Sequence, residues 1–177
     1  MRASIDEFLS QTAKRGSWYG GGSAAAMTCA LAAALLEKLL SRASTARRVH
    51  VIRRQAVSLI DADAKAFSSV IRAYYREDKR AVRETLKRAI AIPVSLYRSA
   101  NRLLAIEAKV RPSVPAKYRS DLDCVVALAA AAKTSSRSFV DANLAWLGDP
   151  AYSRRVRRQL QAASGRRTKV ATRGSRA

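Results

Sequence analysis

Apolar positions recur along this chain three and four residues apart, the period of an α-helix, and no stretch alternates as a strand would. Ser4 and Glu7 stand in S-x-x-E register and open a first helix over Ile5 to Lys14, with Ile5, Phe8 and Leu9 on one face. Gly16, Gly20, Gly21 and Gly22 then mark a loop, and Ser23 is placed to cap a second helix over Ala24 to Ala43. That helix begins almost entirely with alanine and leucine, and such small side chains suit a central helix with close neighbours. A third helix is predicted over Ala46 to Arg76. Asp78 caps a fourth that continues to Lys109, with a kink or break near Ile92 imposed by Pro93.

Pro112 and Pro115 make Arg111 to Lys117 a connector. Ser120 and Asp123 read as a second capping box, opening a fifth helix that Gly148 stops after Leu147. A last helix is predicted over Asp149 to Ala163. The expected architecture is therefore all-α, a single domain of five to six helices over residues 1–163, with a basic, disordered tail at 164–177.

Composition sharpens this picture. Hydrophobic residues make up 49% of the chain and aromatics only 6%, a balance that favours helices. Cys29 and Cys124 both fall in apolar helical stretches and read as small core residues in a reducing compartment. The apolar run from Ala24 to Leu36 is followed by Glu37 and Lys38, and at about 13 residues it is too short to span a bilayer. The opening residues carry Asp6 and Glu7 and read as having no secretory leader, so a cytoplasmic location is expected. The net charge is +21. Nine basic residues and no acid fall between Ser153 and Ala177, leaving a net +12 on the rest. Such charge raises the possibility of nucleic-acid contact, but there is no zinc-finger or helix-turn-helix signature and few aromatics for base stacking.

Candidate chemistry rests on carboxylates. His50 is the chain's single histidine and reads as an exposed helix residue, and no pair of metal-ligand motifs exists. In the third helix, Asp61 shares a polar line with Ser58, Lys65 and Ser68 and is expected to pair with Lys65. Asp63 interrupts the apolar line Ala56, Ile60, Phe67, Ile71. A carboxylate there is either paired with a neighbouring helix end or held as an acid–base group of raised pKa. Gly20, Gly21, Gly22 and Ser23 lead straight into a helix. They serve either to present amides to an acceptor or to allow a close helix crossing. Asp121 is not needed for the cap at Ser120, and Asn143 shares a face with Phe139 and Ala132, where its amide needs partners.

Five motifs in order carry a resemblance. They are Phe8-Leu9, then Gly20-Gly21-Gly22-Ser23-Ala24-Ala25, Leu59 with Asp63-Ala64-Lys65-Ala66-Phe67, Ala89 with Pro93-Val94, and Ser120-Asp121 followed by Phe139-Val140-Asp141-Ala142-Asn143-Leu144. Over roughly residues 5 to 165 the chain resembles the formiminotetrahydrofolate cyclodeaminase / methenyltetrahydrofolate cyclohydrolase family. It departs from the family pattern at Tyr19, where a proline is usual, at Phe139, where an asparagine is usual, and in lacking a Gly-Asn pair before Ser120. The resemblance implies a helical homodimer that interconverts formimino-, methenyl- and formyl-tetrahydrofolate with no cofactor beyond that substrate. It implies a catalytic carboxylate within Asp61-Ala62-Asp63, and the facing argument selects Asp63. Gly20, Gly21, Gly22, Ser23, Ser120, Asp121 and Asn143 are the substrate-binding residues it suggests. A catalytically reduced relative that binds folate or a protein is the alternative, and a basic nucleic-acid binder a more distant one.

Overall fold

The computed structural model describes residues 4–165. Six α-helices follow one another: α1 (Ile5–Ala13), α2 (Gly21–Lys38), α3 (Ala43–Tyr75), α4 (Lys79–Val110), α5 (Arg119–Leu147) and α6 (Pro150–Gly165). Two short 3-10 turns, Arg111–Ser113 and Ala116–Tyr118, join α4 to α5, and there is no strand among the described residues. The helices form one all-α bundle in which α2 packs against α3, α4 and α5.

The central place of α2 follows from its side chains. Ala25, Ala26, Ala32 and Ala33 are buried, and without bulk at these positions neighbouring helices come close enough to fill the gaps with their own leucines and valines. One core cluster joins these alanines and Leu36 to Val49 and Ile52 of α3, Leu96 and Leu103 of α4, and Leu122 and Val125 of α5. A second joins Val70, Leu86, Ile90, Val140, Leu144, Val156 and Leu160 at the other end of the bundle. Each buried leucine or isoleucine contributes roughly 1.5–3 kcal/mol relative to exposure.

Several boundaries follow local chemistry. The Ser4 hydroxyl accepts the Glu7 amide at 3.1 Å, and the Asp78 carboxylate accepts the Ala81 amide at 2.9 Å. Gly148 ends α5 in the left-handed region at φ 62°. Other expectations are corrected. The N-cap of α2 is Gly20, not Ser23, and α2 ends at Lys38 while α3 begins at Ala43. Ser120 caps nothing. The helix already begins at Arg119, and Asp123 turns instead to Arg111 at 2.9 Å. No break occurs at Pro93, since α4 runs from Lys79 through to Val110, its proline buried in the bundle. Cys29 is buried, which pushes its thiol up to about 12, but Cys124 is exposed and no core residue. In α1 only Phe8 is buried, while Ile5 and Leu9 face outward. Ser164, assigned from sequence to the tail, lies in α6 with its hydroxyl 2.5 Å from that of Tyr97, while residues 166–177 lie outside the described residues.

Candidate functional site

Three segments meet at the start of α2: the loop before it, the middle of α3 and the second half of α5. Ser23 is fully buried in the first turn of α2. Its hydroxyl lies 2.9 Å from the Ile60 carbonyl and 3.2 Å from Asp63 Oδ2, so its single proton is shared between two acceptors on α3. This explains why Ser23 is not a cap: α3 has taken its side chain. The Ser23 backbone amide also donates to Asp63. The Asp63 carboxylate thus sits on the positive end of α2, where helix amides favour negative charge.

Glycine makes this approach possible. A Cβ on Gly22 would stand 2.3–2.5 Å from the Asp63 carboxyl atoms, and a Cβ on Gly21 would stand 2.6 Å from Cζ of Phe139. Gly20 has open space around it. Of the two readings of the glycine run, close approach is the one the geometry bears, and the acceptor held at the amides is the chain's own Asp63.

Burial raises the pKa of Asp63, and the Ser23 hydroxyl and amide oppose that rise without cancelling it. The two readings of Asp63 therefore coincide: it bonds a helix end and carries a raised pKa. Asp61 is different. It is exposed and accepts the Tyr19 hydroxyl at 2.8 Å, rather than pairing with Lys65, and that bond raises the pKa of Tyr19. Tyr19 in turn stacks edge-on with Phe8.

Asp63 opens on a cavity of about 200 Å³. Gly20, Gly21, Gly22 and Asn143 line it together with Ser17, Val70, Leu86 and Ala89. Its walls carry Trp18, Phe67, Phe139 and Trp146. Trp18 and Phe67 meet edge-on with ring centres 6.2 Å apart, and Tyr74 does the same with Trp146 just outside. Phe67, expected within the buried stripe, is 45% exposed, because its ring faces this cavity instead of the core. The arrangement pairs a carboxylate of raised pKa with flat apolar walls, which suits an aromatic ligand whose reacting atom lies beside Asp63.

Ser120 and Asp121 do not join this constellation. Asp121 precedes Asn143 by 22 residues on α5, about 33 Å along the helix, and it accepts from Lys38 at 3.5 Å. His50 lies elsewhere on the surface, 3.0 Å from Glu37. The sequence reading missed Trp18, Trp146 and Leu86 as site residues. The signal for the first two was available: both tryptophans of an aromatic-poor chain flank motif residues, one before the glycines and one after Asn143.

Fold and site together define an all-α bundle that holds a half-buried carboxylate against a helix N-terminus beside an aromatic-walled cavity. The chain belongs to the formiminotransferase-cyclodeaminase family, whose model matches residues 4–162. It is 32% identical over 124 residues to formimidoyltransferase-cyclodeaminase of Rattus norvegicus, a match covering 57% of this chain and 23% of that protein. The corresponding protein of Mus musculus is 32% identical over 123 residues, covering 56% and 23%. The matched part thus spans about a quarter of the length of these relatives. The crystal structure of formiminotetrahydrofolate cyclodeaminase from Thermotoga maritima shares the fold with a TM-score of 0.85 at 22% identity, over 93% of this chain and 89% of that one.

Proposed function

We propose that the chain acts on tetrahydrofolate derivatives at the Asp63 cavity, as a cyclodeaminase or as a methenyltetrahydrofolate cyclohydrolase. The observation that carries this reading is Asp63 itself: a half-buried carboxylate of raised pKa, fixed by Ser23, opening on a cavity walled by aromatic rings. At about 200 Å³ the cavity is smaller than the usual pocket for a whole drug-sized ligand, so it takes the ring end that bears the one-carbon unit. In the deaminating direction a folate N–H attacks the formimino carbon and its proton passes to the formimino nitrogen, the bond from that carbon to the departing nitrogen breaks, and Asp63 supplies the second proton so that ammonia leaves and the methenyl bridge remains. In the hydrolytic direction Asp63 takes a proton from the water that adds to the methenyl carbon and passes it to the folate nitrogen whose bond to that carbon breaks, which leaves the formyl group on the other nitrogen. Gly20, Gly21, Gly22 and Asn143 border the bound ring, and the chemistry asks for no cofactor beyond the folate.

The test is spectroscopic. Methenyltetrahydrofolate formation and decay are followed with wild type, Asp63→Asn and Asp61→Asn. Asp63→Asn is expected to lower turnover by roughly two to four orders of magnitude. Asp61→Asn, which removes a surface charge and keeps an oxygen that can accept the Tyr19 hydroxyl, is expected to cost far less. The reverse order would transfer the catalytic role to Asp61. A second reading, binding without turnover, is favoured by Phe139, whose ring fills the space beside Gly21 where the family pattern has an asparagine. Saturable folate binding with no turnover by wild type, and turnover gained on Phe139→Asn, would establish it. The chain is further expected to pair as a homodimer, which light scattering checks.

A further inference from the structure

A second cavity lies away from Asp63, in a groove of about 1130 Å³ between the first half of α3 and the last half of α4. Its floor is aliphatic, with Leu40, Ile52, Ile106 and Val114 lining it. No lining residue is aromatic and none is acidic. Four cations stand on its walls, Arg42 and Arg48 from the α3 side, Arg102 and Lys109 from α4. Among the described residues none of the four takes part in an ion pair, whereas Arg53, Arg83, Arg111 and Arg137 each do.

We propose that this groove docks an acidic amphipathic helix of a partner protein. The α3 wall from Thr45 to Gln55 is about 15 Å long, close to three turns, which matches a helix of about 10–12 residues laid between two helices. The aliphatic floor takes the apolar stripe of such a helix, and the cations on both walls meet carboxylates on its two flanks. Charge decides against the other occupants. A second copy seated about a two-fold axis would bring the same four cations against these four. A nucleic acid would find phosphate partners but no ring on which to stack a base.

The test uses the full chain and a fluorescein-labelled peptide of about 12 residues, with leucines on one face and glutamates on both flanks, in an anisotropy titration. A twin peptide with lysines in place of the glutamates, a single-stranded oligonucleotide and the double variant Arg48→Glu/Arg102→Glu complete it. The acidic peptide is expected to bind saturably and to weaken as salt rises. The double variant is expected to weaken it at least tenfold while keeping its helical spectrum and its folate chemistry. Equal binding of the lysine twin, unchanged binding by the double variant, or no saturable binding of the acidic peptide overturns the proposal. Tighter binding of the oligonucleotide assigns the groove to nucleic acid instead. A change in molecular mass on charge reversal, read by light scattering, assigns it to a second copy.

Discussion

Asp63 holds its proton to higher pH than an exposed aspartate, because burial disfavours its charge more than the two Ser23 bonds favour it. Its folded-state pKa therefore lies above the ordinary value of 3.8, and between the two the folded protein binds more protons than the unfolded chain. The stability this group contributes is fully present below the unfolded value and is lost as pH rises through the folded one. Asp63→Asn, which never ionises, is accordingly expected to equal or exceed wild type in urea at pH 7 and to lose that margin near pH 3. A larger deficit at pH 7 than at pH 3 would show that the ionised form is the favoured one. Ser23→Ala removes a hydroxyl that lowers this pKa, so carbon-detected titration of the Asp63 carboxyl should move further upward. Gly22→Ala puts a methyl within 2.3–2.5 Å of the same carboxyl and is expected to cost about 1–3 kcal/mol. Gly20→Ala, in open space, should change stability by less than about 0.5 kcal/mol in the same denaturation experiment. At this scale the sequence made Asp63 legible because a lone carboxylate broke an apolar period. It hid the pairing of Tyr19 with Asp61, since a loop has no period from which a partner 42 residues away could be read.

Helix boundaries were legible where local chemistry decides, as at Ser4 and Asp78, whose side chains accept from their own helices, and at Gly148, which takes the left-handed turn that ends α5. They were misread at Ser23 and Ser120, where tertiary partners decide: α3 claims the Ser23 hydroxyl, and Arg111 claims Asp123. Pro93 misled for a related reason. Packing on both sides holds α4 together across a residue that cannot donate to the preceding turn. The junction of α3 and α4 carries a cost that no periodicity shows. Glu77 sits at φ 55°, the left-handed region that side chains disfavour. Glu77→Gly should raise stability by about 0.5–1 kcal/mol once glycine's own entropy cost is counted. An unchanged or lower urea midpoint would mean that the Glu77 side chain contributes a compensating contact.

Across the whole molecule, 34 basic residues face 13 acidic ones, and the folded state confines that excess of like charge. Added salt should therefore stabilise the fold. Raising sodium chloride from about 50 to about 300 mM shortens the screening length and should raise Tm, where a flat or falling Tm would mean that the ion pairs outweigh the repulsion. The all-α architecture was legible from helical period alone. The groove between α3 and α4 was not, because its two walls come from stretches some fifty residues apart, and only their packing brings their cations to face one another. No helix among the described residues is long and apolar enough to cross a membrane. The placing of Trp18 and Trp146 has a practical consequence. The chain has two tryptophans and both line the Asp63 cavity, at 45% and 42% exposure, so all of its indole emission originates at that one place. The protein carries its own unlabelled optical gauge of occupancy: excited near 295 nm, a ring sliding between those indoles should quench or blue-shift the emission, while a peptide seated in the distant groove should leave it unchanged.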